Sequence, residues 1–136
     1  FTIGRGIVLR PGDDVALLAT GTMVRRCLDA AALLEAQGLA ATVVDLHTIK
    51  PLDQDLIARL SGTVRLLVTV EEHSITGGLG AAVAERVARL ARRPPQLFLG
   101  LPDAYGLSGD YADILEHYGL TADQIAATVA GQLQRL

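Results

Sequence analysis

The chain has 136 residues, half of them apolar and 20% charged, and its formal net charge is −3. This composition predicts one globular domain over residues 1–136 with a core of its own, and the charge gives no basis for binding nucleic acid. The lone cysteine, Cys27, excludes an intramolecular disulfide, and no apolar run approaches the roughly 18–20 residues that span a bilayer. Because no signal peptide opens the chain, we expect a cytoplasmic protein that contacts no membrane.

Two apolar runs near the start of the chain predict strands. Residues 7–9 indicate a first strand or linker that ends at the turn 10–13, and residues 14–20 indicate a buried strand. Gly21 then allows a sharp turn into a helix, for which Thr22 is the predicted N-cap.

The helix that follows has apolar residues at the spacing of one buried face, namely Val24, Cys27, Leu28, Ala31 and Leu34. The position of Cys27 on this face predicts a packed core thiol rather than a reactive one. Gly38 ends the helix, and residues 41–46 predict the next strand. A strand, a helix and a strand at this spacing predict a right-handed unit with parallel strands.

The middle of the chain contains the stretch around which the domain is organised. After the connection 47–51, Asp53 is the predicted N-cap of a short helix that runs to Leu60. Residues 66–70 form a continuous apolar run, which predicts a strand buried on both faces. Three polar residues, 71–73, follow in a predicted turn where this strand leaves the sheet, and the glycine-rich segment 77–80 opens another helix.

The last third of the chain predicts one more strand and two helices. Residues 96–101 indicate the strand, which Pro102-Asp103 ends, and residues 110–118 suit a short helix. Thr121 and Gln124 form a capping box before a helix that buries Ile125, Val129 and Leu133. The fold class is therefore α/β, a three-layer α/β/α domain with a mostly parallel sheet of about five strands, in which one edge strand could be antiparallel.

Glu71, Glu72 and His73 are the strongest candidates for a functional role. A carboxylate beside an imidazole can serve acid–base chemistry near neutral pH. Adjacent residues in a turn point in different directions, however, so the three cannot converge on one substrate atom. The pattern favours hydrogen bonding to backbone or to a neighbouring domain.

The glycines at the two helix starts have two interpretations each. Gly77 and Gly78 could cradle a phosphate at a helix N-terminus, although the segment matches neither a dinucleotide fingerprint nor a P-loop. Close packing of the helix on the sheet is the favoured interpretation. Gly21 and Thr22 could form a second anion site, but a tight turn with an N-cap is favoured there too.

The remaining polar residues do not form a recognisable catalytic or metal-binding pattern. His47 and His117 are isolated, and no two histidines have the spacing of metal ligands. Ser74 and Ser108 lack the context of a nucleophile elbow. We therefore predict no catalytic, cofactor-binding or metal-binding residue in this chain.

Several motifs nevertheless give nearly the whole chain a close resemblance to the C-terminal domain of transketolases. The motifs in chain order are IGRG (3–6), LRPGDDV (9–15), ATGTMV (19–24), TIKPLD (48–53), VEEH (70–73), GGLG (77–80) and YGLTADQI (118–125). The chain is similar, more distantly, to 1-deoxyxylulose-5-phosphate synthase, and also to the last domain of the beta chain of 2-oxoacid dehydrogenases. The YGLT ending favours transketolase over the dehydrogenase beta chain.

The resemblance implies a supporting role rather than a catalytic one. In this family thiamine diphosphate, with Mg²⁺ or Ca²⁺, lies between a pyrophosphate-binding and a pyrimidine-binding domain, and the metal-binding motif and the activating glutamate belong to those domains. No family catalytic residue therefore matches a position here. The resemblance implies a packing and dimer-supporting domain in a homodimeric parent that transfers two-carbon ketol units between sugar phosphates, and the isolated chain would be inactive.

The resemblance also leaves other functions open. The chain begins with Phe1 rather than Met, so we expect a piece of a larger enzyme whose partners are the other two domains or subunits. Glu71, Glu72, His73, Gly77 and Gly78 are the predicted domain or subunit interface. The alternatives are a free-standing interaction subunit that docks on separate thiamine-enzyme subunits, and a phosphate- or nucleotide-binding α/β domain.

Overall fold

The computed structural model describes residues 1–101 and 110–136, in which strands and helices alternate for most of the chain. In chain order the elements are β1 (Ile7–Arg10), β2 (Val15–Ala19), α1 (Met23–Glu35), β3 (Ala41–Asp45), α2 (Gln54–Ser61), β4 (Leu66–Ser74), α3 (Leu79–Val87), β5 (Gln96–Leu101), α4 (Tyr111–His117) and α5 (Ala122–Gln134). The predicted strand end at Pro102-Asp103 and the serine Ser108 lie outside the described residues.

The strands form a five-stranded sheet in the order β1-β3-β2-β4-β5. Strands β3, β2, β4 and β5 are parallel neighbours, whereas β1 pairs with β3 in the antiparallel direction, with Ile7 opposite Asp45. The predicted mostly parallel sheet of five strands with one antiparallel edge is therefore confirmed.

An apolar core covers each face of the sheet, and successive side chains of β2 point alternately into one core and the other. Val15, Leu17 and Ala19 belong to the core shared with α1 and α5. Ala16 and Leu18 belong to the other core, which is shared with α2 and α3. All five residues are fully buried, as expected for a central parallel strand with helices on both sides. This arrangement is the predicted three-layer α/β/α architecture.

Side chains cap two of the helices as predicted. The carboxylate of Asp53 accepts a hydrogen bond from the Leu56 N–H at 3.2 Å, and also one from the Gly6 N–H at 2.8 Å, which fastens the leading segment to α2. Thr121 and Gln124 form the capping box of α5. In the described residues, none of the helices is both long enough and apolar enough to cross a membrane.

Cys27 lies on the buried face of α1, and its side chain is fully buried in the core. Burial raises the pKa of this thiol from 9.0 to about 12, because the thiolate cannot be solvated there. The prediction of a packed core thiol is confirmed. Of the predicted buried face, Cys27, Ala31 and Leu34 are buried, whereas Val24 and Leu28 are only partly buried and Met23 and Ala30 complete the face.

We expect the Cys27 thiol to resist alkylation in the folded protein. In the unfolded chain the thiol ionises near pH 9, whereas in the folded protein it stays protonated until about pH 12, and the thiolate is the reactive form. Iodoacetamide at pH 9 should label the protein only in denaturant, as read by intact mass. The same difference in pKa means that this thiol's contribution to folding is fully present below pH 9 and is lost as the pH rises towards 12. Fast labelling of the native protein would contradict the burial.

Candidate functional site

The polar segment 71–73 lies inside strand β4 and not in a turn after it. Strand β4 continues to Ser74 because β5 still pairs with it there: Ser74 lies opposite Leu101, and the Ile75 N–H donates to the Leu101 carbonyl at 2.9 Å. The register shifts between Val70 and Ser74, so this part of β4 has more residues than the β5 segment beside it. The predicted turn is therefore wrong, because pairing with β5 holds these polar residues in the strand.

Glu71 is a buried carboxylate that caps helix α3. Its side chain is 1% exposed, and its two oxygens accept hydrogen bonds from the N–H groups of Leu79 and Gly80, both at 2.8 Å. A negative charge at this end of the helix also interacts favourably with the helix dipole. For Glu71, the predicted hydrogen bonding to backbone is thus confirmed.

The glycines at the start of α3 make room for this carboxylate. A Cβ on Gly78 would lie 2.0 Å from the Glu71 Oε1 atom. Gly77 has a φ of +75°, a backbone conformation that residues other than glycine rarely adopt. Gly80 lies against the Phe98 ring, where a Cβ would come within 2.4 Å. The favoured interpretation, close packing of the helix on the sheet, is confirmed. The helix start does not suit a phosphate. The N–H groups of Leu79 and Gly80 already donate to Glu71, whose negative charge would repel a phosphate.

Glu72 points away from Glu71 and links three elements at the surface. Its Oε2 atom accepts hydrogen bonds from the hydroxyl of Thr22, at the start of α1, and from the hydroxyl of Tyr111, at the start of α4, the latter at 2.9 Å. Thr22 is the N-cap residue of α1, as predicted, but its side chain makes no capping hydrogen bond and contacts Glu72 instead. The Thr22 hydroxyl is thereby also engaged, which weakens the case for an anion site at Gly21.

His73, like Glu72, is exposed to solvent. Its side chain is 68% exposed, and its Nδ1 atom lies 3.0 Å from the Ser74 carbonyl oxygen and 4.0 Å from the Glu71 Oε1 atom. Glu71 therefore faces the interior while Glu72 and His73 face solvent, so the three side chains do not surround one point. This arrangement offers a rigid polar surface at the carboxyl end of β4.

The other histidines are dispersed, and each contacts a chain neighbour. His47 hydrogen-bonds to the Thr48 hydroxyl at 2.8 Å and stacks at 4.1 Å from the Phe1 ring, and His117 packs edge-on against Tyr118. Across residues 1–101 and 110–136, no three His, Cys, Asp or Glu side chains converge in a way that could hold a metal ion. Tyr111 is the surface residue that sequence reasoning missed, because its partner Glu72 is 39 positions away.

Residues 4–125 match the family described as the transketolase C-terminal domain. Among curated relatives, 1-deoxy-D-xylulose-5-phosphate synthase from Thiobacillus denitrificans is 47% identical over 98% of this chain and 21% of its own length. The enzyme of the same name from Chlorobium luteolum is 44% identical over 93% of this chain and 20% of its own length. A transketolase C-terminal section from Methanocaldococcus jannaschii is 38% identical over 99% of this chain and 42% of its own length.

Solved structures give the same relationship. A split-gene transketolase, described as an inactive β4 tetramer, superposes with a TM-score of 0.91 at 42% identity and covers 98% of this chain and 44% of that one. A transketolase mutant from Pichia stipitis has a TM-score of 0.68 at 24% identity, which shows the shared fold alone. The chain thus spans less than half the length of each of these relatives. It belongs to the transketolase C-terminal domain family.

Proposed function

We propose that this chain is the C-terminal domain of a larger thiamine-diphosphate enzyme, where it packs against the other domains and supports a homodimer. The proposal rests on how much of each chain is aligned. Nearly the whole length of this chain aligns with relatives that are two to five times longer. A domain with its own two-sided core and a rigid polar edge suits such a supporting role.

The docking surface in this proposal is the edge formed by Glu72, His73 and Gly77. All three are exposed, whereas Glu71 and Gly78, which the sequence also predicted for this interface, are buried and are therefore left out of it. Glu71 instead fixes the start of α3. Because both the strand and the helix start are held by hydrogen bonds, the backbone of this edge loses little freedom when a neighbour covers it. The edge can therefore act as a preformed contact for an adjoining domain.

Thiamine diphosphate and Mg²⁺ or Ca²⁺ belong to the rest of the parent enzyme in this proposal. At the Gly77–Gly80 helix start, the donors that a diphosphate would need are bonded to Glu71, whose charge disfavours an anion. The residues of this edge do not fit the cofactor. The isolated chain is accordingly expected to be inactive.

For the parent, transfer of two-carbon ketol units between sugar phosphates is the proposed activity. The 42% identity to the split-gene transketolase over 98% of the chain supports this choice. Synthesis of 1-deoxy-D-xylulose 5-phosphate is the second candidate, because the identities to that synthase reach 47%. The residues that select substrate would lie outside this chain.

The test is to isolate the native protein from its source cells with an antibody to this chain. We expect a species several times heavier than 14.3 kDa that transfers ketol units when thiamine diphosphate is added. Formation of 1-deoxy-D-xylulose 5-phosphate instead would favour the second candidate. A native polypeptide of 14.3 kDa in a complex would favour the free-standing interaction subunit. A free 14.3 kDa species with activity of its own would contradict the proposal.

Replacing His73 by alanine should weaken docking of this domain without destabilising it. The side chain is largely exposed, so its loss should change the free energy of unfolding by less than about 0.5 kcal/mol. Association with the rest of the parent, prepared as a separate polypeptide, should weaken about tenfold, the effect of losing roughly 1.4 kcal/mol of binding free energy.

The matched control is His117→Ala, which removes another exposed histidine on a different element. Thermal unfolding of the 136-residue chain and titration calorimetry of the association separate the two effects. A loss of thermal stability as large as the loss of affinity would make His73 a structural residue only.

A further inference from the structure

A cleft of about 430 Å³ opens at the end of the sheet opposite the Glu71 edge. Its charged lining comes from Arg65, which immediately precedes β4, and from Arg92 and Arg93, which follow α3. Its apolar lining comes from Val64, the Pro94-Pro95 pair and Leu136. Because β4 and β5 are parallel, the segments that precede them lie at the same end of the sheet, where the strands begin. The topology thus brings together three arginines that are up to 28 positions apart in the sequence.

All of the charged side chains that line this cleft are arginines. No acidic side chain lines it. Within the described residues, none of the three guanidinium groups lies within 4.0 Å of a carboxylate, whereas Arg10 and Arg25 have such partners in Glu35 and Asp29. The chain as a whole has a net charge of −3, so a cluster of three unneutralised arginines is a local feature that attracts anions.

Part of the cleft is already ordered. One terminal nitrogen of Arg65 donates to the Leu133 carbonyl of α5 at 3.2 Å, which orients the guanidinium and leaves its other N–H groups available. Two consecutive prolines have fixed φ angles and give the wall a rigid backbone. A planar guanidinium presents paired donors that match the oxygens of a phosphoryl group.

We propose that this cleft binds a small organic anion that carries two phosphoryl groups. Three guanidinium groups can neutralise two phosphoryl groups, and the volume is in the range of about 300–1,000 Å³ typical of small-molecule sites. The apolar wall of Val64, Pro94 and Pro95 suits the carbon part of such a ligand. The site is separate from the docking edge, and it stands whether or not the proposed function holds.

The test is to titrate the 136-residue chain with pyrophosphate at constant ionic strength, using amide chemical shifts to locate the site and calorimetry to measure affinity. We expect saturable 1:1 binding, with shifts of the amides of residues 64, 65, 92, 93 and 96 and none at 77–80. The double variant R92A/R93A removes the two exposed arginines that follow α3, and it should weaken pyrophosphate binding tenfold or more. Titrations with ADP and with fructose 1,6-bisphosphate then distinguish a nucleotide from a sugar bisphosphate as the organic part.

The control is R25A/R89A, which removes two exposed arginines outside the cleft and changes the net charge by the same amount. It should bind pyrophosphate as the unmodified chain does. Unfolding temperatures should be alike for both variants, since all four side chains lie at the surface or nearly so. Failure of the unmodified chain to bind pyrophosphate, or equal weakening by both double variants, would overturn the proposal.

Discussion

Replacing Glu71 by alanine should lower the free energy of unfolding by about 3 kcal/mol. The carboxylate is 1% exposed and accepts hydrogen bonds from the Leu79 and Gly80 N–H groups, which are themselves buried. Alanine would leave both donors without an acceptor, at a cost of about 1–3 kcal/mol each. It would also remove the negative charge from the start of α3.

Two further variants separate the cap from the mere loss of a glutamate. E71Q keeps one acceptor oxygen but turns an amide group towards a backbone N–H, so we expect a smaller loss, near 2 kcal/mol. E72A removes the adjacent exposed glutamate and its bonds to Thr22 and Tyr111, which should cost less than about 1 kcal/mol. Urea unfolding at pH 7 measures all three. Equal effects of E71A and E72A would show that the α3 cap is unimportant.

Loss of the cap should also reach the docking edge. Without Glu71, nothing else in the described residues holds the first N–H groups of α3, and the glycines 77 and 78 are free to adopt other conformations. Amide hydrogen exchange should therefore rise first at 75–80 in E71A. Exchange that rises uniformly through the sheet would instead indicate global destabilisation.

Local sequence patterns predicted most of the fold because each buried element has a periodicity of its own. Strand β2 and the apolar part of β4 are continuous apolar runs between helices, which is typical of strands covered on both faces. Asp53 and the Thr121–Gln124 pair cap their helices through residues three positions apart, so a short segment contains the whole signal.

The sequence could not predict contacts that depend on distant residues. The end of β4 was misplaced because pairing with β5, at Ser74 and Leu101, decides where the strand stops. Thr22 is the N-cap residue of α1, but its hydroxyl donates to Glu72, 50 positions away, rather than capping the helix. The buried and exposed faces of the 71–73 segment likewise depend on where α3 begins, which only the folded chain fixes.

Replacing Gly80 by alanine is expected to destabilise the domain by about 2–3 kcal/mol, although alanine is the better helix former. Gly80 lies in the first turn of α3 where the helix presses on the sheet, and an added Cβ would meet the Phe98 ring at 2.4 Å and the Thr69 hydroxyl oxygen at 2.9 Å. Gln96 also donates to the Gly80 carbonyl at 2.9 Å, so the helix cannot move outward without losing a bond.

The matched control is Gly131→Ala, because Gly131 is also helical but has no neighbouring atom closer than 3.9 Å to an added Cβ. There the helix preference acts alone, and we expect a gain of up to about 1 kcal/mol. Urea unfolding should thus give changes of opposite sign for the same substitution in two helices. Phe98→Leu should recover part of the loss in G80A, since the ring supplies the nearest contacts. A Gly80 variant as stable as the Gly131 variant would mean that α3 does not need close approach to the sheet.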